Sequence, residues 1–119
     1  MSAPYEEGDI PVDGPDTVAE KRLLSSLGRQ AQTVNLARVV RLLELLDASD
    51  AGTLDEAGRG EAENLAHQVV GSAGTFGFPA ASVEAVSIED YFATWPSGAG
   101  AGTGPVRATL ERLRLEFEG

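Results

Sequence analysis

The apolar positions of the chain recur at intervals of three and four residues in four stretches, which is the spacing of one face of an α-helix. The clearest stretch runs from Thr33 to Ala48, where arginine and glutamate side chains fall between the apolar positions. Three others run from Leu54 to about Phe76, from Pro79 to about Trp95, and from Pro105 to Glu118. No stretch alternates as a β-strand does, so the pattern predicts four amphipathic helices.

A weaker apolar pattern between Thr17 and Gln32 predicts an extra short helix at the N-terminus, which Gly28 would end or bend. Residues 1–16 contain three prolines and five carboxylates but no basic residue. Such a segment buries too little apolar surface to offset the entropy of ordering it. We therefore expect a disordered acidic tail over residues 1–16.

The connections between the predicted helices have turn and loop compositions. Pro79 disfavours a helical conformation at Phe78 and suits the first turn of the helix that follows. The glycine-rich segment 96–104 predicts a flexible loop. Helices that are polar on one side can bury their apolar stripes only against one another. The expected fold is all-α, an up-down-up-down antiparallel four-helix bundle within residues 17–119, with room for the extra N-terminal helix.

Length and composition allow one domain and exclude several functions. The chain has 119 residues, of which 9 are basic and 19 acidic, giving a formal net charge of −10. This balance disfavours nucleic acid or an anionic membrane as partner, because such binding needs clustered lysine and arginine. There is no cysteine, which excludes disulfides, thiol nucleophiles and cysteine-ligated zinc. With one histidine, the sequence predicts no metal site and no cofactor.

The sequence contains no recognisable targeting or membrane segment. Residues 1–10 are acidic and polar, unlike the positive start and apolar centre of a secretory signal. No apolar run approaches the roughly 18 residues that span a bilayer. We therefore expect a cytoplasmic protein without membrane insertion, and the sequence leaves its oligomeric state open.

The one histidine lies on the polar side of its predicted helix. At 100° per residue the apolar positions centre at about 50° from Leu65, whereas His67 lies at about 200°. Gly60, Gly71 and Gly74 all fall within about 40° of His67 on the helix surface. A helical glycine costs about 1 kcal/mol relative to alanine, so three on one face indicate clearance for a partner. The alternative is an incidental surface histidine beside glycines that allow close helix packing.

Glu89 is expected to lie at the same height in the bundle as His67. Each residue is 11 positions from Phe78, where the chain is predicted to turn, and antiparallel neighbours rise equally per residue. A carboxylate that accepts a hydrogen bond from one imidazole nitrogen fixes the tautomer and leaves the other nitrogen as the nucleophile. The alternative is a solvated glutamate beside Asp90.

Residues 66–78, with the sequence AHQVVGSAGTFGF, resemble the phosphoacceptor segment of histidine phosphotransfer (HPt) domains, particularly those of chemotaxis histidine kinases. The resemblance extends from Leu65 to Glu89. It implies a four-helix bundle whose histidine accepts a phosphoryl group from a sensor histidine kinase or an aspartyl phosphate and exchanges it with a response-regulator receiver domain. By this resemblance His67 is the acceptor and Glu89 binds its imidazole. Such a carrier has no turnover of its own, and the partner supplies Mg²⁺.

The resemblance also implies a partner-binding face around the histidine. The residues that we expect on this face are Gly60, Glu63, Val70, Gly71, Gly74 and Phe78. Val70 departs from the family, which usually has a lysine there that helps to neutralise the phosphoryl group. Arg59 lies eight residues before His67, too far along the helix to replace that lysine. The departure leaves an alternative function open, namely an HPt-like helical adaptor that binds a signalling partner without carrying phosphate.

Overall fold

The computed structural model describes residues 15–96 and 102–119, and these residues form four helices. The helices are α1 (Pro15–Asp50), α2 (Glu56–Thr75), α3 (Pro79–Ala93) and α4 (Gly104–Glu118). No strand occurs in these ranges, so the predicted all-α class is confirmed. The predicted acidic tail lies outside the described residues, apart from residues 15 and 16 at the start of α1. Most of the glycine-rich loop also lies outside them.

The extra N-terminal helix is not a separate element, and the prediction of a break at Gly28 was wrong. Helix α1 runs unbroken from Pro15 to Asp50, with Gly28 inside it. No heavy atom lies within 4 Å of the position that a Cβ on Gly28 would occupy. A single glycine weakens a helix by only about 1 kcal/mol, which a helix continued on both sides can tolerate.

Each helix packs against two of the other three. Helix α1 packs against α2 and α4, and helix α3 packs against the same two. Within the described residues, the backbones of α1 and α3 do not come close to each other. The core lies between all four helices. Its most deeply buried large side chains are Val39, Leu42, Leu46, Val69, Ile88, Phe92, Leu110, Leu113 and Phe117.

A tight turn joins α2 to α3. The N–H groups of Phe76 and Phe78 donate to carbonyl oxygens of the last turn of α2, at 3.0 and 2.8 Å. Between them Gly77 has a φ of +97°, a conformation that glycine adopts without steric cost. Pro79 then occupies the first turn of α3, as the sequence predicts. The turn is short, so residues equally distant from it on α2 and α3 lie near one another.

A buried polar contact joins α1 to α2. Asn35 is fully buried, and its Nδ2 donates to Ser72 Oγ at 3.2 Å. Its Oδ1 accepts a hydrogen bond of 2.8 Å from Arg38. A buried amide without partners would destabilise the fold, so these contacts favour one rotation of α1 against α2. That rotation leaves the opposite side of α2 facing away from α1.

Candidate functional site

His67 lies in the middle of α2 with its side chain 71% exposed. Ala66 and Val69, on either side of it along the helix, are buried in the core. The 3.6-residue period of the helix therefore turns the histidine outward while its neighbours face inward. This is the orientation that the apolar pattern predicts.

The imidazole of His67 meets the carboxylate of Glu89 on α3. The distance from Nδ1 to Oε2 is 2.9 Å, and the glutamate side chain is 26% exposed. An ionised carboxylate can only accept a hydrogen bond, so beside it a neutral imidazole has its proton on Nδ1 and its lone pair on Nε2. The structure thus brings together the two residues that are equally distant from the turn at Phe78.

A small pocket of about 240 Å³ opens beside this pair. Side chains on a helix lean toward its N-terminus, so the imidazole lies over the preceding turn of α2. The residues that line the pocket are Gly60, Glu63, Asn64, His67 and Glu89. The sequence analysis placed four of these on the candidate site but did not single out Asn64. The sequence feature that could have identified Asn64 is its position three residues before His67, since residues one helical turn apart lie on the same face of a helix.

Arg59 lies near this pocket but is held by other groups. Its guanidinium bonds Glu63 at 2.8 Å and Glu56 at 2.7 Å, and it donates to the carbonyl oxygen of Phe92 at 3.1 Å. The hydrogen bonds with Glu56 and Glu63 raise the pKa of Arg59 far above its usual range, and the bond from Arg59 lowers the pKa of Glu56. Arg59 therefore joins α2 to the end of α3, and the side chains that line the pocket include no cation.

The three glycines near His67 differ in what surrounds them. Apart from the nearby backbone of α2 itself, a Cβ on Gly60 or Gly71 would meet no heavy atom of the described residues within 4 Å. A Cβ on Gly74 would lie 3.2 Å from Ser82 Oγ, and that hydroxyl donates to the carbonyl oxygen of Val70 at 2.7 Å. Close packing of α2 on α3 therefore explains Gly74, but packing within this chain explains neither Gly60 nor Gly71.

The two apolar residues expected on the partner face, Val70 and Phe78, are half-buried and pack against the core. The ring of Phe78 meets that of Phe117 edge to face, with the centroids 5.2 Å apart. More exposed apolar side chains are Val83 and Val86 of α3, at 72% and 42%. The sequence analysis missed this pair, although both lie off the apolar stripe of their helix.

Residues 15–96 and 102–119 contain neither a candidate metal site nor a candidate membrane span. No group of three or more histidine, cysteine or carboxylate side chains there could hold a metal ion. No helix in the same ranges is both long enough and apolar enough to cross a membrane.

Comparison with known proteins gives no match, whether against family models, curated proteins or solved structures. The function is therefore argued from the geometry of the site together with the motif around His67.

Proposed function

We propose that this chain is an HPt protein, a phosphoryl carrier in a two-component phosphorelay, with His67 as the acceptor. The observation that carries the proposal is the 2.9 Å contact between Nδ1 of an exposed His67 and the carboxylate of Glu89. A histidine held in this way is a nucleophile with a fixed tautomer on an accessible helix face.

The proposed reaction begins with the lone pair of His67 Nε2. It attacks the phosphorus atom of the donor and forms the N–P bond, while the bond from phosphorus to the leaving group breaks and that group keeps the electron pair. When the donor is an aspartyl phosphate, the leaving group is the aspartate carboxylate. The proton on Nδ1 stays in the hydrogen bond to Glu89, which stabilises the positive charge that develops on the ring. The return transfer reverses these steps.

The proposal includes the up-down-up-down antiparallel order of the helices. Contacts between α2 and α3 support it. A residue near the start of α2 contacts one near the end of α3, and a residue in the second half of α2 contacts one near the start of α3. Arg59 bonds the carbonyl oxygen of Phe92, whereas the carbonyl oxygen of Val70 accepts from Ser82. In this arrangement His67 lies between these two contacts on one side of the bundle.

The proposed partners are a response-regulator receiver domain and an upstream sensor histidine kinase, which places the protein in the cytoplasm. The receiver would approach across Gly71, where the surface is open, and cover the exposed apolar side chains of Val83 and Val86. Exposed apolar side chains on the same helix as Glu89 are a surface that a protein partner could cover. The partner would supply Mg²⁺ and the groups that activate the phosphoryl donor.

The experiment that tests the proposal is intact-mass analysis after incubation with a small phosphoramidate donor. We expect one acid-labile phosphoryl group on the wild type and none on His67→Gln. Receiver domains from the same organism should then remove the group. A wild type that takes no phosphoryl group from either the donor or phosphorylated receivers would overturn the proposal.

The adaptor function is favoured by one observation, the half-buried Val70 at the position where the family usually has lysine. Binding measurements with receiver domains separate the two functions. An adaptor would bind its partner equally well as wild type and as His67→Gln, and neither form would carry phosphate. A carrier would lose phosphate transfer in that variant.

A further inference from the structure

A phosphoryl group on His67 needs hydrogen-bond donors, since its oxygens are negatively charged acceptors. The usual lysine is replaced by Val70, which packs against the core, and Arg59 is bound to Glu56 and Glu63. A donor must therefore come from another side chain of this site or from the partner.

We propose that the side-chain amide of Asn64 is this donor, and that it binds the phosphoryl group on His67 Nε2 over Gly60. The inference rests on the proposed function and names a residue that acts on the transferred group itself. Asn64 lies one helical turn before His67 on α2, and both residues line the same pocket.

The chemistry of the pocket lining leads to this assignment. Glu63 and Glu89 carry carboxylates, which accept hydrogen bonds and repel a phosphate when they are ionised. Gly60 has no side chain, and the Nδ1 proton of His67 is already donated to Glu89. Within the pocket lining this leaves the Nδ2 amide of Asn64, which has two N–H groups to donate.

The space in the pocket agrees with the assignment. Apart from the nearby backbone of α2 itself, no heavy atom of the described residues lies within 4 Å of the position of a Cβ on Gly60. Because the imidazole leans toward the N-terminus of α2, a group on its free nitrogen would extend over the turn that contains Gly60 and Asn64. The open surface at Gly60, which packing does not explain, is then the room that the phosphoryl oxygens need.

The test compares Asn64→Ala and Asn64→Asp with the wild type and with a control, Gln68→Ala. Gln68 is also exposed and is adjacent to His67, but it does not line the pocket. The measurements are the rate of phosphorylation by phosphoramidate and the rate of phosphohistidine hydrolysis. We expect Asn64→Ala to be phosphorylated about tenfold more slowly, the effect of losing a hydrogen bond to a charged group. Asn64→Asp should be slower still, whereas Asn64→Lys should match or exceed the wild-type rate.

A second readout follows the amide itself. In ¹⁵N-resolved NMR spectra, phosphorylation should shift the side-chain NH₂ signals of Asn64 much more than those of Gln68. Thermal unfolding of each variant establishes that it is folded, and the exposure of both residues predicts little change.

The outcomes distinguish this inference from the function on which it rests. A wild type that is not phosphorylated would overturn both. A phosphorylated wild type would support the carrier, and Asn64→Ala rates equal to those of wild type or of Gln68→Ala would then overturn the role of Asn64 alone. The same conclusion would follow if the Asn64 amide signals did not move on phosphorylation.

Discussion

The two faces of α2 differ in why their residues are small. The inner face consists of Ala62, Ala66, Val69 and Ala73, all buried in the core. The outer face carries His67 among glycines, and a Cβ on Gly60 or Gly71 would meet nothing within 4 Å. Small residues inside allow the neighbouring helices to approach, whereas no packing contact within residues 15–96 and 102–119 requires glycine at positions 60 and 71. Substitutions on the inner face should therefore change stability, and those on the outer face should change the phosphoryl transfer that we propose.

The largest expected effect is on the outer face, with His67→Gln. Loss of the nucleophilic nitrogen should abolish phosphorylation, while the melting temperature should change little because the side chain is 71% exposed. Mass analysis and thermal unfolding of the same sample check both results. A large loss of stability in this variant would show that the histidine has a structural role and would weaken the distinction between the faces.

The inner face is tested by Ala66→Leu, directly beside the histidine. Ala66 is completely buried, so the added carbons must displace core side chains, and we expect a loss of about 1–3 kcal/mol in the free energy of unfolding. Chemical denaturation measures this loss. The control Gln68→Leu, on the exposed side of the same turn, should change stability by less than about 0.5 kcal/mol. Equal losses in both variants would contradict the comparison.

Glu89→Gln tests the contact between the two helices at the site. The amide keeps a similar shape but lacks the negative charge that orients the imidazole and stabilises its positive form, so phosphorylation by the small donor should slow about tenfold. The control is Glu84→Gln on the same helix, whose carboxylate bonds Arg112 at 3.3 Å and does not line the pocket. An unchanged rate in Glu89→Gln would remove this residue from the mechanism.

Gly71→Ala sharpens the comparison, because it should raise the free energy of unfolding but lower the rate of phosphoryl transfer to a receiver. The added methyl group clashes with no side chain in the described part of the chain and replaces a helical glycine, so the free energy of unfolding should rise by about 0.5–1 kcal/mol. Transfer to a receiver should slow, but phosphorylation by a small donor should not. Gly74→Ala is the matched control, and it should gain less stability because its Cβ would lie 3.2 Å from Ser82 Oγ. Unchanged transfer in Gly71→Ala would show that no partner approaches there.

The smallest expected effect concerns ion pairs away from the site. Hydrogen bonds from Thr103 and Arg107 lower the pKa of Asp50, and one from Arg41 lowers the pKa of Glu61. A carboxyl whose pKa is lower in the folded state stabilises the fold at a pH above its unfolded value. This stabilisation is lost as the pH falls through the folded value. Denaturation curves should therefore show a small loss of stability from these two carboxyl groups below about pH 4.5. The double variant Asp50→Asn, Glu61→Gln should lose less stability than the wild type as the pH falls.

Much of the fold could be predicted because helical periodicity is a local property. The turn at Gly77 and Pro79 was visible in the sequence, and so was the outward position of His67. The continuity of α1 through Gly28 was not, because one glycine weakens a helix by only about 1 kcal/mol and the helix continues on both sides of it. Local composition alone does not show what lies against a glycine. For that reason Gly74, which faces Ser82, could not be separated beforehand from Gly71, which faces open space.

The sequence by itself determined the helical class, the exposed histidine and a glutamate at matching height on the next helix. Only the tertiary structure decided that Glu89 reaches Nδ1 of His67, that Arg59 reaches the carbonyl oxygen of Phe92, and that Asn64 lines one pocket together with Glu89. The reason is physical. Spacing along one helix sets the direction in which each side chain points and its position along the helix axis, whereas a contact between two helices depends on their separation and rotation. Packing of small side chains between the helices sets both quantities, and it acts only in the folded protein.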